Sequence, residues 1–206
     1  MSDGVEASEG DVRDRVRELV SGEDDAIARA RQRAEQVGPV PSPEVGALLA
    51  WAAATVAARH VVEIGASGGV SGLWLLRGMA ARGILTSVEL DSHWHGLATT
   101  AYEQAGVGDR VRSILGNPAE VLPRLSDATY ELVLIQGRLT DHPTYLEHAR
   151  RLLQPGGVLI ARGLLHDPDT ARGTALRAFA ELLDEDDWIG TVLPLDDGVG
   201  LATHRA

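Results

Sequence analysis

Residues 60–79 read HVVEIGASGGVSGLWLLRGM, a strand, a glycine-rich turn and a helix without a break. Val61, Val62 and Ile64 make a short apolar strand, and residues 65–69 carry three glycines. Leu73, Trp74, Leu76 and Met79 then repeat at a helical period. A helix that starts directly after a strand aims unpaired backbone N–H groups into the crevice above the sheet. Glycines there let a ligand approach the backbone closely. The run points to a fold in which strands feed helices, and it marks the expected ligand loop.

From His60 onward the pattern alternates. Strands are expected at 60–65, 84–90, 110–115, 130–135 and 157–161, and helices at 71–81, 92–105, 118–125, 143–153 and 167–184. Most of the strands are continuous apolar runs, as a parallel sheet covered on both faces requires. The first 58 residues read as helices. Stretches 12–20 and 24–37 are charged and amphipathic, and GPVPSP at 38–43 then breaks the chain. Ser42 can cap a further helix through Ala58, with Pro43 at its first position and Glu44 in its first turn. Residues 188–193 and 199–204, around Asp196-Asp197-Gly198, resemble a closing hairpin. At 206 residues the chain fits one domain. The expected architecture is a doubly wound, mostly parallel α/β sheet over 42–206, with an antiparallel C-terminal hairpin and a helical extension over 1–41.

Composition removes several classes of function. A net charge of −11 argues against a protein that grips phosphate backbones, so no nucleic-acid partner is expected. There is no cysteine, which excludes disulfides and thiolate metal sites. All 19 basic residues are arginine, so Schiff-base chemistry and an amine general base are excluded too. No apolar stretch approaches the roughly 20 residues of a membrane span, and residues 1–10 lack the basic start and apolar core of a signal peptide. A cytoplasmic protein is expected.

Three ligand classes use a loop of this kind. A nicotinamide or flavin site prefers G-x-G-x-x-G, but Ser67 and Val70 occupy the second and third glycine positions. Residues 65–69 also fit the G-x-S-x-G elbow of a serine hydrolase, yet nothing upstream can furnish that fold's oxyanion loop and preceding strands. The third class adds two acids. Glu89 ends the second strand, where a carboxylate can accept both hydroxyls of a ribose. Glu63 lies inside the first strand beside three apolar neighbours and needs a partner, either loop N–H groups or a cationic ligand.

With these residues in place, the chain resembles the class I S-adenosylmethionine-dependent methyltransferases, and more narrowly the small bacterial O-methyltransferases of the catechol and caffeoyl-CoA type. The resemblance runs from Ser42 to the C-terminus. SPEVGALL is similar to the helix before the first strand, VVEIGASGGVSGLWL to the cofactor loop and SVELD to the ribose strand. GNPAEVLPRL resembles the segment edging the adenine, YELVLIQ the fourth strand, and YLEHARRLLQPGGVLIA the helix, turn and fifth strand. The resemblance implies a Rossmann-like methyltransferase fold with S-adenosylmethionine as cofactor. Glu63, Gly65, Ala66, Gly69 and Ser71 would hold its methionine portion and Glu89 its ribose. Asn117 and Pro118 would flank the adenine, Pro41 would lie in the segment covering the pocket, and Gln136, at the end of the fourth strand, would join the cofactor-binding residues. Ser71 can also cap the following helix. The family often dimerises through its N-terminal helices, so a homodimer is expected.

The chain departs from the family at the metal centre, where an aspartate, an Asp-Asn pair and a nearby lysine usually stand. Gln136, Arg162, Gly163 and Leu139 occupy those positions. A neutral amide and a guanidinium cannot hold a hard dication, so no metal is expected. Arg162 and Arg138 either place a fixed positive charge that steadies a phenolate or carboxylate, or solvate loops at the sheet's edge. Proton removal would fall to His142 or His166, unless these are exposed loop histidines. The acidic run 184–187 reads as a solvated helix end. The expected activity is methyl transfer to a small hydroxylated molecule without a metal. The alternative is a catalytically weak relative that binds the cofactor as a sensor or assembly partner.

Overall fold

The computed structural model describes residues 22–205 together with Gly10 and Arg15. The helix expected over 12–20 lies outside the described residues apart from Arg15. Helix α1 spans Asp25–Ala34; the Asp24 carboxylate accepts from the Ala26 and Ile27 N–H groups, and Ile27, Ala30 and Ala34 form its buried stripe. Helix α2 spans Pro43–Thr55, with Ser42 capping the Val45 N–H as its position before Pro43 suggests. It stops short of Ala58 because Ala57 turns left-handed at φ +47°. The Ala58 N–H then reaches back to the Ala53 carbonyl in a Schellman closure.

Strands β1 (His60–Ile64), β2 (Ile84–Glu89), β3 (Val111–Leu115), β4 (Tyr130–Ile135) and β5 (Leu153–Arg162) alternate with helices α3 (Val70–Gly78), α4 (Ser92–Gln104), α5 (Pro118–Val121) and α6 (His142–Leu152). Helix α7 (Thr174–Leu183) and the hairpin β6 (Trp188–Leu193) and β7 (Val199–His204) complete the chain. The sheet order is β3-β2-β1-β4-β5-β7-β6, with the first five strands parallel and β7 antiparallel to both neighbours. This is the doubly wound sheet with the closing hairpin that the sequence pattern suggests.

Three further elements differ from expectation. The 118–125 helix changes to a 3₁₀ turn at Leu122–Arg124, since Pro123 has no N–H to continue an α-helix. Residues 167–173 form turns instead of helix: Asp167 accepts from the Asp169 and Thr170 N–H groups, which competes with helical bonding. Strand β5 starts four residues early. Its register against β4 jumps from Tyr130–Leu153 to Leu132–Val158, so a bulge absorbs Pro155 and the left-handed Gly156.

Both faces of the sheet are covered. Val61, Leu85, Leu132 and Leu134 pack with α1 to α4, while Val62, Ile64, Val133 and Ile135 pack with α6 and α7. Strand alternation therefore puts Glu63 on the α3–α4 side, two residues before the glycine turn. The strand order reverses between β1 and β4. In open α/β sheets that switch point opens a crevice at the carboxyl ends of the strands.

Candidate functional site

The crevice is bounded on one side by the end of β2. Glu89 Oε2 accepts from the Ala66 N–H at 2.8 Å and Oε1 from the Asp91 N–H at 2.9 Å. Each oxygen keeps lone-pair capacity for a further donor. A cavity of about 300 Å³ opens here, lined by Gly65, Glu89, Asp91, Pro118, Gly137 and Tyr145 among others. Gly65 has φ +90°, and a side chain there would run into the Gly137 backbone. Asn117 caps α5 through the Ala119 N–H, and Pro118 is buried at the cavity wall. Gly69, at φ +91°, turns the loop into α3.

Glu63 is fully buried below this loop. Its carboxylate accepts from the Ser71 hydroxyl, from Ser87 Oγ at 2.7 Å, from Tyr102 OH at 3.3 Å and from Gln136 Nε2 at 3.2 Å. Loop N–H groups do not serve as the partners; hydroxyls from α3, β2 and α4 and the amide of the residue after β4 do. None of these donors carries a charge. Burial pushes the Glu63 carboxyl up to about 7, against the hydrogen bonds from Ser71, Ser87 and Tyr102 that pull it down. Burial likewise pushes the Tyr102 hydroxyl up.

Gln136 joins the loop to the end of β5. Its Nε2 also donates to the Gly65 carbonyl at 2.6 Å and approaches Ser71 Oγ at 2.6 Å. Its Oε1 accepts from Arg162 Nη1 at 3.2 Å. Arg162 is nearly buried, and its Nη2 pairs with Asp196 at 3.3 Å and Asp197 at 3.6 Å. Its Nε has no hydrogen-bond partner among the described residues. Both terminal nitrogens are thus engaged and the positive charge is offset, so Arg162 offers no free bidentate fork for a carboxylate. Leu139 fills the space beside Gly163: a Cβ on that glycine would come within 2.5 Å of the Leu139 side chain. Among the described residues, no group of three or more His, Asp or Glu side chains could hold a metal ion. This donor set does not fit a dication.

Arg138 borders the cavity but is 70% exposed and paired with Asp141 at 2.8 Å. That matches the loop-solvating alternative. His142 is not a loop histidine at the rim. It opens α6 fully buried, with Nε2 3.3 Å from the Gly137 carbonyl and Nδ1 without a partner among the described residues. Burial pushes it down to about 4, which leaves the imidazole neutral and enclosed. His166 is half-buried in the turn after β5. On the N-terminal side, the Pro41 carbonyl accepts from Arg31, and the Ser42 N–H donates to Asp196 Oδ2 at 2.9 Å.

Sequence reasoning missed Ser87, Tyr102 and Asp196. Ser87 was legible in principle: it precedes Glu89 by two residues as Glu63 precedes Gly65, and parallel pairing sets Glu63 beside Ser87. Tyr102 and Asp196 carry no such local signal.

Residues 62–167 match the family model described as a methyltransferase domain. A protein of Mycolicibacterium vanbaalenii named as an O-methyltransferase is 43% identical over 193 residues, covering 89% of this chain and 85% of that protein. The O-methyltransferase TomG of Streptomyces achromogenes, solved in complex with S-adenosylmethionine, superposes with a TM-score of 0.84 at 28% identity, over 95% of this chain and 96% of its own. A Corynebacterium glutamicum protein superposes at 0.87 and 28% identity, over 97% and 98%.

Proposed function

This chain belongs to the methyltransferase family, and on that premise we propose that it is an S-adenosylmethionine-dependent O-methyltransferase acting on a small hydroxylated molecule without a metal ion. The observation that carries the reading is Glu89 bonded to the Ala66 N–H across the mouth of one cavity. A ribose acceptor and a glycine loop face each other there. Glu89 would take the ribose hydroxyls, Pro118 and Asn117 would flank the adenine, and Gly65 and Ala66 would leave room for the methionine portion, with Gly69 letting the loop pack against Ala98 and Ala101 of α4. Glu63, Ser71 and Gln136 would complete that end, under the segment holding Pro41. The cofactor supplies a sulfonium-bound methyl group, already activated for transfer. The protein's part is to hold donor and acceptor in line. With His142 enclosed and Arg162 neutralised by Asp196 and Asp197, the site suits a phenol that ionises readily by itself.

A calorimetric titration with S-adenosylhomocysteine tests the reading, followed by an acceptor screen with and without EDTA. Binding is expected, as is turnover insensitive to both chelator and added magnesium. Activity silenced by EDTA and restored by magnesium would remove the metal-free centre, and failure to bind would remove the cofactor. The enclosed His142 and the missing lysine favour a second reading, a binding-only relative, and this would show as binding without turnover in the whole screen.

The same titration carries a pH signature. In the unliganded protein Glu63 keeps its proton up to about 7, above its ordinary 4.5. The folded state therefore holds more protons than the unfolded chain between those values. This stabilising contribution is complete at low pH and is lost as pH rises through about 7. A cation bound beside the carboxylate expels the proton, so affinity should rise from about pH 5.5 to about pH 8 and then level off. Glu63→Gln should flatten that slope. A wild-type affinity independent of pH would separate Glu63 from the ligand.

The reading extends to a cytoplasmic homodimer. Among the described residues, no helix is long and apolar enough to cross a membrane. Helix α2 leaves Trp51 63% exposed and β6 leaves Ile189 55% exposed, beside an apolar groove of about 390 Å³. Patches of this kind mark interaction surfaces. Sedimentation should give a dimer for the wild type and a monomer for Trp51→Glu; a monomeric wild type at micromolar concentration contradicts the assembly.

A further inference from the structure

We infer that Asp196, at the tip of the C-terminal hairpin, is a positioning residue that holds the glycine loop in its binding geometry through Arg162 and Gln136. The inference rests on the cofactor reading above. Asp196 has φ +47°, a left-handed conformation that aspartate tolerates better than most residues. The backbone there is docked onto the strand end it serves. Gly163 N–H donates to the Gly198 carbonyl at 2.9 Å, and Leu165 N–H to the Asp197 carbonyl at 2.8 Å. A side chain at Gly198 would lie 2.5 Å from the Leu165 nitrogen, so tip and strand end are in direct backbone contact.

From this anchored position one carboxylate oxygen, Asp196 Oδ2, accepts from two separate segments. One is the Ser42 N–H at 2.9 Å, which begins α2; the other is Arg162 Nη2 at 3.3 Å, which ends β5. Arg162 passes its other terminal nitrogen to Gln136 Oε1 at 3.2 Å. That bond fixes which way the Gln136 amide faces, and only this orientation aims Nε2 at the Gly65 carbonyl, Ser71 and Glu63. A nearly buried guanidinium deprived of its closer carboxylate would reorient or recruit water, and the amide would be free to flip. Asp197 lies 3.6 Å from the same nitrogen without a hydrogen bond and is 53% exposed, so it offsets charge while Asp196 fixes the guanidinium's orientation.

The test is a double-mutant cycle on S-adenosylhomocysteine affinity. Asp196→Gly keeps the left-handed turn while deleting the carboxylate, and Asp196→Asn keeps an acceptor for the Ser42 N–H while deleting the charge. Asp196→Gly should weaken binding five- to twenty-fold and shift the Gln136 side-chain amide resonances, although residue 196 is not among those lining the cofactor cavity. Asp196→Asn should retain slow hydrogen exchange at the Ser42 amide and recover part of the affinity. In a Gln136→Leu background the Asp196→Gly effect should shrink below two-fold, because the relay is already cut. Additive losses in the cycle, or wild-type affinity in Asp196→Gly, overturn the inference while leaving the cofactor reading standing. A wild type that does not bind S-adenosylhomocysteine removes both.

Discussion

Gly65→Val is expected to abolish S-adenosylhomocysteine binding within the measurable range, at least a hundred-fold loss, and to lower stability by roughly 2–4 kcal/mol. Two separate penalties act at this position. Gly65 has φ +90°, a backbone conformation that a β-branched residue scarcely adopts. An added Cβ would also lie 3.0 Å from the Gly137 nitrogen and 3.2 Å from the Gln136 carbonyl carbon. Those are main-chain atoms at the end of β4, so relief requires moving the strand end and not merely rotating a side chain. The Gly65 N–H is bonded to Val88 and its carbonyl to Gln136, which ties the loop to both neighbouring strands. Denaturant unfolding and calorimetry separate the two effects. Gly65→Ala, with a smaller side chain and the same φ, should fold better than valine and still bind poorly. A folded Gly65→Val protein with wild-type affinity would place the ligand elsewhere.

Glu89→Ala should weaken S-adenosylhomocysteine by about 5- to 150-fold, or about 1–3 kcal/mol, the cost of stranding polar partners. Two losses add. The ribose hydroxyls would lose their acceptor, and the Ala66 and Asp91 N–H groups, which now donate to Oε2 at 2.8 Å and Oε1 at 2.9 Å, lose theirs. Glu89→Gln discriminates between them. A glutamine oxygen can still accept from the Ala66 N–H, so that bond is preserved, while the NH2 replacing Oε1 can accept neither from a ribose hydroxyl nor from the Asp91 N–H. An intermediate loss in Glu89→Gln, with the unfolding midpoint unchanged, assigns the larger part to the ligand. Equal affinity across wild type, glutamine and alanine would take Glu89 out of the site.

Much of this architecture was legible in the order of residues, because the signals are local. Continuous apolar runs such as residues 132–135 mark strands buried on both faces, and the hairpin 188–193 with 199–204 is bracketed by its own turn residues. The glycine turn that begins at Gly65 and an acid two residues past Ser87 likewise mark the cavity's two lips by spacing alone. The start of the helix expected over 167–184 and the start of β5 depart from the sequence pattern for a local reason as well: turn chemistry at Asp167 and a bulge at Gly156 outweigh the periodicity.

Other features depend on which distant segments meet, and sequence order is silent on that. Glu63 looked as if it required loop amides or a cation; its partners come from α3, β2, α4 and the residue after β4, up to 73 positions away. Arg162 looked free to grip an anion until the hairpin tip brought Asp196 and Asp197 against it, 34 and 35 residues later. His142 looked like a surface base until α6 packed it inside. Charge, proton affinity and reach are properties of a group's surroundings, since a buried ion is stabilised or discharged by whatever faces it. Composition and spacing determined the fold and the position of the glycine turn at the cavity. Tertiary packing alone decided which side chains around that loop are charged, neutral or already engaged, because their partners are neighbours in space and not along the chain.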